Sequence, residues 1–173
     1  TWVQKADLPT PRCWHTSAVV NGKIYIIGGG SSESDFQVYS IVEEYDPNTD
    51  TWARKADMPT ARCDFVGSSA VVDGKIYVIG GDIFDGDYKC VSTVEEYDPA
   101  TDTWTQKTDM PTSRWSLATC AVDGKIYAIG GAPNSFSGLK TVEQYDPATD
   151  TWTRKADMPS GVWGLCTCVI DGK

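Results

Sequence analysis

One stretch of about twenty residues is written three times in this chain. EEYDPNTDTWARKADMPTAR occupies 43–62, EEYDPATDTWTQKTDMPTSR occupies 95–114, and EQYDPATDTWTRKADMPSGV occupies 143–162. TWVQKADLPTPR, at 1–12, is the tail of a fourth copy. The tryptophans Trp2, Trp52, Trp104 and Trp152 lie 50, 52 and 48 residues apart. A period near fifty marks a supersecondary unit that cannot bury its own faces and must stack on its neighbours. That excludes a chain of independent domains and points to an array.

The local signals read as four strands per unit. Strand a is the alternating run before each NGK or DGK, such as SAVV at 17–20. Asn-Gly and Asp-Gly suit a tight hairpin turn, which needs positive φ. Strand b is the β-branched and aromatic run that ends in Gly-Gly: IYIIGG (24–29), IYVIGG (76–81) and IYAIGG (126–131). Strand c is VEEYD or VEQYD, with Val and Tyr on one face. In DPxTD the Asp bonds the backbone and the Pro fixes φ, which sets a second turn. Strand d is TWxxK. Pro, Gly and β-branched residues interrupt every window long enough for a helix. The class is all-β.

Gly-Gly, then Tyr, then Trp seven residues later (45/52, 97/104, 145/152), followed by KADMP or KTDMP, resembles the kelch repeat over nearly the whole chain. The resemblance implies a β-propeller of four-stranded antiparallel blades, with strand a lining the central channel and strand d outside. On that reading 1–173 is a single array. Residues 1–11 hold strand d of an incomplete blade, 12–56 blade one, 62–108 blade two, 114–156 blade three, and 162–173 strand a of a further incomplete blade. This is a partial propeller with fourteen expected strands. Such an arc exposes blade faces at both ends, which favours association. A homodimer or other homo-oligomer that closes the ring is one expectation; a fragment of a longer propeller is the other. The surplus d and a strands tile a six-blade dimer imperfectly. The chain begins at Thr1 without a basic-then-apolar leader, which reads as an excised piece or a mature chain and gives no signal of compartment.

Residues that recur serve the blade, and residues that differ between blades are free to serve a partner. The Gly-Gly pairs let backbones approach, and Tyr and Trp seal blade against blade. The acids of EEYDPxTD are expected at turns and on a solvated rim. The differences concentrate in the d–a connections (10–16, 60–68, 112–118, 160–166) and the b–c loops (30–40, 82–92, 132–140). In an up-and-down blade both lie at one end of the strands and converge at the channel mouth. There the sequence places Trp14, His15, Asp64, Phe65, Phe84, Asp85, Trp115, Ser116 and Phe136 as a recognition surface. The family resemblance implies docking of partner peptides on this face, and by position it points to the second residue after each recurrent Arg: Trp14, Asp64 and Ser116. Arg12, Arg62 and Arg114 are candidates for binding an acidic peptide, or else pair with blade acids. Val162 replaces Arg in the last copy.

Asp82, Asp85 and Asp87 resemble a loose calcium loop, but lack the ligand spacing and late Glu of a calcium hand, so no metal or cofactor is expected. Gly28-Gly29-Gly30 is no phosphate loop, for neither a helix nor Lys-Thr follows. The six cysteines do not repeat per blade, so they read as free thiols and favour a reducing, cytoplasmic compartment. The formal charge of −9 argues against a duplex nucleic-acid binder, and no apolar run spans a membrane. His15 is the single histidine, which excludes the copper-dependent sugar oxidases of the kelch family. The expected function is a non-catalytic binding or scaffold module for a protein or peptide. The alternatives are a fragment of a propeller enzyme such as a sugar mutarotase, using His15 with an Arg or Glu, and a duplicated or engineered array whose interest is assembly alone.

Overall fold

The computed structural model describes residues 1–31, 36–64, 67–133 and 137–170. Three four-stranded antiparallel sheets follow one another along the chain. The first holds β1 (Thr16–Val20), β2 (Lys23–Ile27), β3 (Val42–Asp46) and β4 (Thr51–Arg54). The second holds β5 (Ser69–Val72), β6 (Lys75–Ile79), β9 (Val94–Asp98) and β10 (Thr103–Gln106). The third holds β11 (Ala118–Val122), β12 (Lys125–Ile129), β13 (Val142–Asp146) and β14 (Thr151–Arg154). Strand order within each sheet is sequential apart from an insertion in the second, the hairpin of β7 (Asp82–Phe84) and β8 (Tyr88–Cys90). This is the up-and-down blade of a β-propeller.

Register repeats from blade to blade. Tyr45 faces Trp52, Tyr97 faces Trp104 and Tyr145 faces Trp152 across the c–d pair. The hairpin turns place Asn21, Asp73 and Asp123 at positive φ, followed by a glycine, as the Asn-Gly and Asp-Gly dipeptides require.

The core lies between blades. One cluster joins Ala18, Val20, Tyr25 and Ile27 of the first sheet to Ile76, Val78 and Tyr97 of the second, with Trp104 against it. The other joins Ala70, Val72, Tyr77 and Ile79 to Ile126, Ala128 and Tyr145, with Trp152 against it. A four-stranded sheet this small has no interior, so its apolar faces are buried only by the next sheet.

Hydrogen bonds stitch the same seams. Trp104 Nε1 donates to the Ala56 carbonyl of the preceding blade (3.0 Å), and Trp152 Nε1 to that of Thr108 (2.9 Å). Asp102 and Asp150 accept from the Ala56 and Thr108 amides and from the hydroxyls of Tyr97 and Tyr145. Asp50 and Trp52 treat Ala6 in the same way. The Gly-Gly positions are tight. A Cβ on Gly80 (φ +68°) would stand 2.6 Å from the Arg114 carbonyl oxygen.

Two expectations need correction. Residues 2–6 and 162–170, read as strands of further blades, carry no strand, because the 173 residues hold no c strand for the first to join and no b strand for the second. The fourteen strands among the described residues are twelve blade strands plus β7 and β8, a ribbon within the b–c loop of the second blade. The acids of strand c are not a solvated rim either. Glu43, Glu95 and Glu143 are buried, as are Glu44 and Glu96. Glu44 and Glu96 accept from Tyr25 and Tyr77 and pair with Lys23 and Lys75.

Candidate functional site

The d–a connections and the b–c loops meet at one end of the blades. Cys13 exchanges both backbone hydrogen bonds with Gly30 (3.0 and 2.9 Å), Cys63 with Asp82 (2.9 Å each) and Trp115 with Ala132 (3.0 Å each). Each connection entering a blade is therefore fixed to the loop that follows that blade's Gly-Gly. The next residues, Trp14, Asp64 and Ser116, and their counterpart Gly164, all take left-handed backbone, with φ between +47° and +66°. The Ser116 amide donates to the Asp64 carbonyl and the Gly164 amide to that of Ser116, a backbone ladder around the mouth.

The three arginines leave the candidate site. Arg12, Arg62 and Arg114 have fully buried side chains and bond Glu43, Glu95 and Glu143, each at 2.7 Å. Arg62 also donates to the carbonyls of Gly80 and Thr93, and Arg114 to those of Gly130, Thr141 and Ala128. Burial lowers the Arg114 guanidinium to about 10, still cationic at neutral pH. These groups hold strands b and c of their own blade and are not available to an acidic peptide.

An aromatic cluster takes their place. Trp14 and Phe36 from the first blade meet Phe84 and Tyr88 from the β7–β8 ribbon of the second. Ring centroids stand 5.5 Å apart for Trp14–Phe36, 6.1 Å for Phe36–Phe84, 5.8 Å for Phe36–Tyr88 and 5.1 Å for Phe84–Tyr88. Trp14, Phe84 and Tyr88 remain 46%, 43% and 49% exposed. A smaller pair, Trp115 and Trp163, stands 5.2 Å apart on the last two connections, with Trp115 Nε1 bonded to the Pro133 carbonyl. Ser116 is buried and contributes backbone only. Phe65 and Phe136 lie outside the described residues.

Asp82 lies on the ribbon face that carries Phe84 and Tyr88, and Asp64 is close enough to act on its charge. Asp82 is 5% exposed, and Asp64 is half-buried. Burial and the Asp64 charge push Asp82 up to about 7, and burial raises Asp64. The Cys63 thiol, also buried, is pushed up to about 12 and is unreactive as a nucleophile. Asp82 heads the ribbon opposite Cys90, whereas Asp85 and Asp87 lie at its turn, about 10 Å further at the strand rise. Asp85 pairs with Lys89 at 2.8 Å. The three weak metal candidates are therefore spread along the ribbon, and no group of three or more metal-ligating side chains gathers among the described residues.

His15 lines a different place, a cavity of about 270 Å³ among the first strands of the three blades, with Thr16, Ser69, Thr119 and Thr167. Burial and the Arg12 charge lower its pKa, so the imidazole is neutral at pH 7. The lining holds hydroxyls, the His15 imidazole and the Cys166 thiol, and among its described residues neither a carboxylate nor a guanidinium. Sequence comparison between repeats finds Trp14 and Phe84. Phe36, Tyr88 and Trp163 are missed, and only the Asp-Gly turn within 82–90 announces the ribbon that carries Tyr88.

Blades of this register, sealed by Tyr–Trp–Asp seams, define a β-propeller array. The family described as "KLHDC2/KLHL20/DRC7 Kelch-repeats domain" matches residues 1–173, and the chain belongs to the kelch-repeat family. It is 33% identical over 146 residues to human "Kelch repeat and BTB domain-containing protein 12", covering 75% of this chain and 23% of that protein. It is 35% identical over 127 residues to "Kelch-like protein terF" of Aspergillus terreus (strain NIH 2624 / FGSC A1156), covering 70% and 27%. The solved structure of YjhT shares the fold at a TM-score of 0.81 with 24% identity, over 95% of this chain and 58% of that one. The chain thus spans about a quarter of the length of these curated relatives.

Proposed function

We propose that this chain is a non-catalytic recognition module whose loop face holds a protein or peptide partner. One observation carries the reading: four aromatic rings from two blades form a continuous, half-open surface on rigidly bonded loops. Rigid aromatics at the centre of a surface supply large contact area at small entropic cost.

The test is selection of peptides from a random displayed library on the intact chain. Selected peptides should lose binding to Trp14→Ala and Tyr88→Ala, and keep it to Trp2→Ala, a fully exposed ring outside the cluster. Binders indifferent to Trp14 and Tyr88, or no binders, overturn the reading.

A second proposal concerns assembly: the outer blade faces take blades of a second copy of this chain. Val19, on the face that Val71 uses in the next blade to join a core cluster, is 62% exposed. The near-identical seams make each blade a plausible neighbour for any other. Light scattering should show a multiple of 18.9 kDa. A monodisperse monomer excludes it.

A further inference from the structure

The β7–β8 ribbon sorts its side chains by register. Asp82 pairs with Cys90 and Phe84 with Tyr88, so these four share one face, while Ile83 and Lys89 share the other. Phe36 packs on the first face through Phe84 and Tyr88, and Trp14 extends it. The Asp82 carboxyl therefore stands on the same side of the ribbon as the aromatic cluster. It is buried, and its Oδ1 has no hydrogen-bond partner among the described residues. Such an acceptor is expensive to leave unpaired.

The charges around it do not relieve it. Asp64 adds a second carboxyl, and the two influences on Asp82, burial and the Asp64 charge, both act upward. Arg12 and Arg62 pair with Glu43 and Glu95, and Lys89, on the opposite ribbon face, pairs with Asp85. A cation brought between the carboxyls and the rings would reverse the penalty on ionising Asp82. Aromatic faces attract such a cation, and apolar rings accept the aliphatic stem of a long basic side chain. The net charge of −9 steers a basic ligand toward the protein.

We propose that the loop face takes a cationic side chain, an arginine guanidinium or a lysine ammonium, from its peptide partner, with Asp82 and Asp64 as counter-ions and Trp14, Phe36, Phe84 and Tyr88 as the aromatic wall. This rests on the reading of the face as a peptide-binding surface and names the chemistry that it selects.

The experiment is an NMR titration of the intact chain, followed at the Trp14 indole N–H. The probes are acetylated, amidated Gly-Ser-X-Ser-Gly peptides, with X as Arg, Lys, citrulline, Leu or Glu. The Arg and Lys peptides should shift the Trp14 signal saturably, and the citrulline and Glu peptides should not. Asp82→Asn, which keeps the side-chain shape, should weaken the Arg peptide about tenfold. If the Leu or Glu peptide shifts Trp14 at the same concentrations as Arg, the cation inference fails while the peptide-binding face stands. An Arg response unchanged by Asp82→Asn and Asp64→Asn also overturns the inference. If none of the peptides shifts Trp14, both fail.

Discussion

Arg114 joins two blades at once: its carbonyl accepts the Gly81 amide of the second blade at 3.1 Å, and its guanidinium bonds Glu143 of the third at 2.7 Å. Both charges are removed from water. Replacing one strands the other, at a cost of about 3–5 kcal/mol. Arg114→Met is therefore expected to destabilise the chain by about that amount in urea titrations, and Arg114→Met with Glu143→Leu to recover most of the loss. A single-variant loss under about 1 kcal/mol means that the ion pair does not hold the blade.

The seam tryptophans separate by environment. Trp104 packs on Tyr97 with centroids 5.0 Å apart and donates to Ala56, so Trp104→Ala should lower stability by about 3 kcal/mol. Trp2 has the same place in its repeat and is fully exposed, so Trp2→Ala should change stability by less than about 0.5 kcal/mol. Equal losses in thermal denaturation would contradict the seam geometry.

Trp14 combines an exposed ring with left-handed backbone. Glycine adopts that backbone freely, so Trp14→Gly is expected to leave stability unchanged or raise it by up to about 1 kcal/mol. Peptide binding should be lost in the same variant. A marked loss of stability would make Trp14 a packing residue and remove it from the recognition surface.

Asp82 gives a pH signature. Its folded pKa of about 7 lies above the ordinary carboxyl value of 3.8, so the native state favours the protonated form. That contribution is fully present below about pH 4 and is lost as pH rises through about 7. The groups that act on it or respond to it are Asp64, Cys63 and Tyr88. Stability of the native chain should fall between pH 5 and 8 by on the order of 2 kcal/mol relative to Asp82→Asn. His15 works the other way: its lowered pKa withdraws stability as pH falls below about 6.5, in both proteins alike. Parallel pH–stability curves for the two proteins would place the Asp82 carboxyl in water.

Recurrence made the blades readable. Tyr97 and Trp104, or Gly80 and Gly81, return in every copy because every seam needs them, and their spacing predicts strands that the structure contains. By the same logic Arg12, Arg62 and Arg114 belong to the blade. The pull of a guanidinium toward an acidic ligand suggests otherwise, and their burial decides the matter. The loop face was half legible. Trp14 and Phe84 stand out as differences between repeats, but Phe36 and Tyr88 become neighbours only through tertiary approach of two loops, which no local pattern encodes. Asp82 reads as one of three loop acids until the ribbon register turns it toward the rings.

Because each core cluster lies between two sheets, every blade is coupled only to the one before and the one after. The second blade takes part in both clusters, so opening it costs two seams at once. The ribbon that carries Phe84, Tyr88 and Asp82 grows from that second blade, so the proposed contact surface is anchored to a segment held by both seams.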